Sequence, residues 1–322
     1  MNNPVMSANA ASQPPCGRCL PFGVTAVRNY SKSLMICLYF MLVCPIAGAD
    51  IKVTDDSGQQ LSLQQPARRI VSLAPHITEQ LFAVGAGEQV VGVSAYSDFP
   101  AAANTIQRIG DGGGLDIEAI VALQPDLVVA WQSGNPAAQI ARLQALGLTV
   151  FISEPGELGE VVTTLQRLGE LAGSEEVAQA VIERFNRRLA GLRARHKDKA
   201  PVSVFYQVWD TPLMTINGDH LISDVIRLCG GVNVFSGLSQ LAPQIGIESV
   251  LTRNPRVIIA ADRGPVGGDV LTGWWRWSNM SAVRDGNLFT VPGDALVRHT
   301  PRILDGAERV CKILDQVRKR DL

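Results

Sequence analysis

Two hydrophobic periods take turns along most of the chain. Arg69-Ile-Val-Ser-Leu73, Val90-Val-Gly-Val-Ser94, Asp126-Leu-Val-Val-Ala-Trp131 and Leu148 to Ile152 are short runs rich in Val, Ile and Leu, the pattern of buried strands. Between them, His76 to Val84, Ile117 to Leu123 and Ala137 to Leu146 repeat apolar residues at helical spacing and stop at Gly85, Pro125 and Gly147. Strands alternating with helices predict parallel βαβ units. The middle differs. Glu157 to Leu171 and Ser174 to about Lys197 are long helical patterns with few breakers. Ser174 is placed to cap the second, and Glu175 and Glu176 favour its first turn. At ~1.5 Å per residue it reaches about 35 Å, the length of a rigid strut between two lobes; two helices of one larger domain is the competing reading. After Pro201 the alternation resumes. Val202 to Val208, Arg256 to Ala261 and Leu288 to Val291 read as strands, and His220 to Cys229 and Arg302 to Arg318 as helices.

An internal echo favours two lobes. Ile117-Glu-Ala-Ile-Val-Ala-Leu-Gln-Pro-Asp-Leu-Val-Val-Ala130 aligns without gaps on Ile247-Glu-Ser-Val-Leu-Thr-Arg-Asn-Pro-Arg-Val-Ile-Ile-Ala260. A helix–Pro–strand unit is therefore used twice, on either side of the long helix. The expected architecture is α/β: two similar lobes with central, mostly parallel sheets, joined by one long rigid helix, with a ligand cleft between the lobes. The expected boundaries are residues 50–156 for the first lobe, 157–200 for the helical segment and 201–322 for the second lobe.

The first 49 residues stand apart. They hold Arg18, Arg28 and Lys32 and no Asp or Glu, then an uncharged, mostly apolar run from Leu34 to Val43. Ala47-Gly48-Ala49 offers small residues ahead of a cut before Asp50. This is the pattern of a secretory signal peptide cleaved after Ala49, and it places the mature chain in the periplasm. The apolar run is short for a membrane span. The whole chain has 322 residues and a formal net charge of −1. Losing three basic residues from the leader makes the mature part mildly acidic. With no basic stripe, nucleic acid is not an expected partner. Four of the six cysteines lie in the leader, leaving Cys229 and Cys311. An even pair in an oxidising compartment reads as a disulfide; two unpaired buried thiols is the alternative.

Enzyme signatures are thin. Gly85-x-Gly87 lacks the third glycine of a dinucleotide fingerprint, and Gly110-Asp-Gly-Gly-Gly114 lacks the Lys-Ser/Thr of a phosphate loop. No G-x-S-x-G elbow occurs. His76, His196, His220 and His299 are scattered, with no zinc spacing. No catalytic residue and no resident metal is expected. Tyr96, Trp131 and Trp209 each sit at or just past a strand's end, where ligands bind in open α/β sheets. Flat rigid rings there suit a large macrocyclic ligand; ordinary rim packing is the alternative. Asp294 and Arg298 lie after the last strand, fitted either to bond polar ligand groups or to pair with each other. Glu118 and Glu248, the matched glutamates of the echo, are favoured at helix starts by the dipole alone. They also make one acidic knob per lobe for a two-fold partner.

Arg69-Ile-Val-Ser-Leu-Ala-Pro-His-Ile-Thr-Glu79, Gly92-Val-Ser-Ala-Tyr-Ser-Asp98, the segment from Asp116 to Trp131, Leu228-Cys-Gly-Gly-Val-Asn-Val-Phe235 and Pro301-Arg302 resemble the periplasmic cobalamin-binding proteins of vitamin importers. The wider family also holds haem and siderophore receptors. The likeness runs from about Ile70 to Val317. It implies a non-enzymatic, monomeric receptor without a covalently bound cofactor. Such a receptor takes cobalamin or a related corrinoid between its lobes and delivers it to the permease dimer of an inner-membrane ABC importer. A haem or ferric-siderophore receptor of the same fold is the alternative. Residue by residue, the resemblance makes Tyr96 a ligand-stacking ring and Asp294, Ala295, Leu296, Val297 and Arg298 a corrin-contacting loop. It makes Glu118 and Glu248 the docking glutamates and Cys229–Cys311 a disulfide. The chain departs from the pattern where tryptophans are expected near Gly112 and Ala242, and where Ala295-Leu296 replaces a Trp-Phe pair.

Overall fold

A computed structural model describes residues 50–111, 114–262 and 270–320. The leader segment, Gly112 and Gly113 lie outside the described residues. After Asp50 the chain forms an antiparallel hairpin, β1 (Ile51–Thr54) and β2 (Gln60–Leu63). The first lobe follows: β3 (Ile70–Ser72), α1 (Pro75–Ala83), β4 (Val90–Val93), α2 (Ile117–Ala122), β5 (Leu127–Trp131), α3 (Ala137–Ala145) and β6 (Val150–Ser153). The pair α4 (Leu158–Ala172) and α5 (Glu175–His196) comes next. The second lobe contains β7 (Val202–Gln207), α6 (Leu221–Leu228), β8 (Gly231–Asn233), α7 (Ile247–Arg253), β9 (Val257–Asp262), β10 (Leu288–Pro292), α8 (Gly293–Val297) and α9 (Ile303–Lys319).

Both sheets are parallel and share one topology. The first is ordered β4-β3-β5-β6 and the second β8-β7-β9-β10. In each lobe the second strand pairs outside the first, and the third and fourth follow on the other side. The internal echo falls on equivalent units, α2–β5 and α7–β9. Both third strands are apolar throughout their middles because helices cover both faces, so no polar alternation survives.

Local chemistry sets the helix limits. Asp116 accepts from the Ala119 amide and caps α2. Glu157 and Glu160 form a capping box on α4. Gly173 ends α4 in the left-handed region at φ 67°, where a side chain would meet Pro66. Acidic Glu175 and Glu176 begin α5, and Arg193, Arg195 and His196 end it, matching the helix dipole.

The long helix expected between the lobes is α5, and α4 packs along it. Helix α4 packs on α1, and the Leu158 amide donates to Asp224 of α6 at 2.9 Å. The buried stripe of α5 includes Val181, Ile182, Phe185, Leu189 and Leu192. One apolar core runs from Ile70 and Leu127 through this stripe to Val204, Ile259 and Leu304. The lobes thus share buried surface instead of meeting only at a hinge. Cys229, ending α6, is bonded to Cys311 of α9.

Candidate functional site

Parallel strands deliver their loops to the sheet's carboxyl edge, and here the two edges face each other. The loop after β4 carries Tyr96, β5 ends in Trp131, and the β7 end leads to Trp209. The chain after β10 carries residues 294–302. Arg298 of that chain donates to Asp98 Oδ1 at 2.7 Å and approaches the Tyr96 carbonyl at 3.5 Å, so the second lobe touches the loop that bears Tyr96.

In the first lobe a cavity of about 310 Å³ opens beneath Tyr96, lined by Ser94, Leu115, Trp131, Gly134, Asn135 and others. Tyr96 is 77% exposed, and its backbone is left-handed at φ 62°, uncommon for a bulky residue. Trp131 is half-buried. Asn135 fixes its strand end by accepting from the Trp131 amide at 2.7 Å and donating to the Leu73 carbonyl at 3.0 Å. The indole lies where a Gly134 side chain would stand. Trp209 is exposed at the second lobe's edge, its indole N–H donating to the Thr211 carbonyl at 3.0 Å.

The 294–298 loop divides. Asp294 and Val297 are exposed, and Ala295 is partly so. Leu296 is fully buried in the shared core, so the expectation that its side chain contacts a ligand fails: α8 turns it inward. Arg298 is 8% exposed and spans Asp294 (3.1 Å), Asp98 and Glu79 (3.8 Å). The pair with Asp294 weighed from sequence forms, and it extends across the lobes. Glu118 and Glu248 are both exposed. A helix that precedes a parallel strand starts at the sheet's carboxyl edge, so both glutamates rise from the rim that bears the cleft.

Sequence reading missed what lies under the cleft. Three histidines separated along the chain converge there. His76 and His299 have ring centres 5.2 Å apart, His220 lies 5.8 Å from His299, and Trp131 lies 5.0 Å from His76. Burial lowers the His76 pKa to about 3, with the positive charge of Arg298 adding to the effect. Burial lowers His220 to about 4 and His299 well below its usual value, the latter helped by the other two rings. Neutral His220 caps α6, its Nδ1 accepting from the Ile222 amide at 3.1 Å. Beside the rings, Glu79 is 3% exposed and receives Arg302 in a two-pronged pair at 2.6 and 2.8 Å. The only sequence signal was that Pro75 to Glu79 and Pro301-Arg302 belong to the resembling segments. Among the described residues, no group of three His, Cys, Asp or Glu is arranged to hold a metal ion.

The fold and this cleft are those of a two-lobe binding protein. The chain belongs to the periplasmic binding protein family, whose pattern matches residues 70–295. It is 37% identical over 255 residues to the vitamin B12-binding protein of Vibrio cholerae, covering 79% of this chain and 92% of that protein. The Yersinia pestis vitamin B12-binding protein is 34% identical over 248 residues, covering 77% and 86%. The crystal structure of periplasmic vitamin B12 binding protein BtuF of Vibrio cholerae superposes with a TM-score of 0.73, covering 79% of this chain and 99% of that one. A periplasmic haem-binding protein, BhuT, shares the fold at a TM-score of 0.68 with 21% identity.

Proposed function

We propose that this chain captures cobalamin or a related corrinoid between its lobes in the periplasm and passes it to an inner-membrane ABC importer. The observation that carries the reading is the pair of facing carboxyl edges, with Tyr96 and Trp131 on one and Trp209 on the other. Aromatic faces of this kind bind a flat macrocycle by dispersion and burial. Asp294 and Val297, exposed on the 294–298 loop, supply the second lobe's polar and apolar contacts. The relatives named for vitamin B12 binding support the ligand. They match nearly their whole length and are far more similar to this chain than the haem binder. The relatives are binding proteins, and we read this chain as a carrier without catalysis. Export by the leader, cleavage after Ala49 and a monomeric mature form complete the proposal. Glu118 and Glu248 stand on equivalent helix starts of two lobes with one topology, so they present paired acidic knobs to a two-fold permease.

Titration of the purified mature protein with cyanocobalamin tests this by calorimetry and visible absorption. We expect saturable 1:1 binding, weakened by Tyr96→Ala. Absence of heat and of a spectral change would overturn the corrinoid reading. Saturation by haemin or a ferric siderophore instead would support the alternative receptor class.

A further inference from the structure

Arg302 precedes the last helix of the second lobe, yet the groups that grip it belong to the first. Its Nε and Nη2 donate to the two oxygens of Glu79, and its guanidinium carbon lies 3.8 Å from the centre of the Phe99 ring. Thr300 donates to the same carboxylate at 2.7 Å. One cation of the second lobe is thus sandwiched between a buried carboxylate and an aromatic face of the first, a geometry suited to the planar guanidinium fork.

Phe99 closes the loop that carries Tyr96. The exposed Tyr96 ring has little packing to hold it, and its left-handed backbone persists only where surroundings impose it. At its start the loop is tied within its own lobe, where Arg108 donates to the carbonyls of Ser94 (3.2 Å) and Ser97 (2.8 Å). At its end Asn104 of its own lobe donates to the Asp98 carbonyl at 3.4 Å, and the other lobe adds two contacts: Arg298 to Asp98, and Arg302 over Phe99.

We propose that Arg302 is a positioning residue for ligand capture: anchored by Glu79, it presses on Phe99 and holds the Tyr96 loop in its ring-presenting conformation from the opposite lobe. This rests on the reading of Tyr96 as a ligand contact. It makes presentation of that ring depend on the lobes staying together, so that separating them withdraws Arg302 and frees the loop.

The experiment uses the whole mature protein with R302M, R302K, Y96A and the double variant R302M/Y96A. Cyanocobalamin affinity and hydrogen exchange over residues 94–99 are the readouts. R302M should weaken binding roughly tenfold, and R302K should not recover it because lysine lacks the fork. In the Y96A background the same substitution should change affinity less than about twofold, since the ring it positions is gone. Amides of 94–99 should exchange faster in R302M while those of β3 and β5 do not. Unchanged 94–99 exchange, or an equal loss of affinity with and without Tyr96, would overturn the proposal. If Y96A binds as wild type or no variant binds cobalamin, the site reading falls, and the exchange measurement alone decides whether Arg302 holds the loop. Should R302M fail to fold, Phe99→Leu removes the ring but leaves the Glu79–Arg302 pair; the same exchange and affinity outcomes then apply.

Discussion

Lowering the pH from 7 to 5 should destabilise the folded chain by about 2 kcal/mol through His76 alone. The ring is 4% exposed, packed against Trp131 and His299, and its pKa is lowered to about 3. In the unfolded chain it titrates near 6.5. Between those values the unfolded state binds a proton that the folded state refuses, so stability falls as pH falls. At pH 5, about 1.5 units below the unfolded value, the loss is about 2 kcal/mol. His220 acts in the same direction, and its protonation would also remove the acceptor that caps α6. His299 adds to the trend. Urea unfolding followed by circular dichroism at pH 7, 6 and 5 measures the slope. His76→Phe keeps a ring against Trp131 but removes the proton site. The variant should lose about 2 kcal/mol less than wild type over this range. Equal losses in both proteins would refute the reasoning, because they would mean that His76 takes up its proton as readily folded as unfolded.

Other outcomes follow from particular contacts. Reducing Cys229–Cys311, or replacing both by serine, opens a loop spanning 82 positions and should cost about 4 kcal/mol, lowering Tm by roughly 10 °C in calorimetry. Gly134→Ala places a methyl group where the Trp131 ring lies, so cobalamin affinity should drop about tenfold in titration while far-ultraviolet circular dichroism stays unchanged. Glu118→Arg with Glu248→Arg should abolish binding to the purified importer in a pull-down and leave ligand affinity intact, since both side chains are exposed on helix starts and neither lines the cavity beneath Tyr96.

Much of the fold was legible because its signals are local. Val-rich runs such as Leu127 to Trp131 and Val257 to Asp262 are buried on both faces and read as strands from composition alone. The helix limit at Gly147 follows from backbone freedom that the residue itself sets, whereas Ser174, read as a cap for α5, stands at the N-cap position without a side-chain capping bond. The candidate site was legible only at its rim. Tyr96, Trp131 and Trp209 could be placed near the sheet edges because strand ends fix where their residues emerge. Leu296 was misplaced because one turn of helix α8 decides which side of the 294–298 loop faces inward.

The sequence by itself determined two α/β units of one pattern, the helices between them, the cysteine pair and the rim aromatics. Each depends on residues close in the chain or on a repeat visible without folding. Tertiary structure alone decided that both carboxyl edges face one another and that α4 and α5 weld the lobes into one core. It also decided that His76, His220 and His299 share a buried floor, and that Glu79 meets Arg302 across 223 positions. Pairing across such separations leaves no periodicity to read, because burial, charge matching and ring contact act through space and not along the chain.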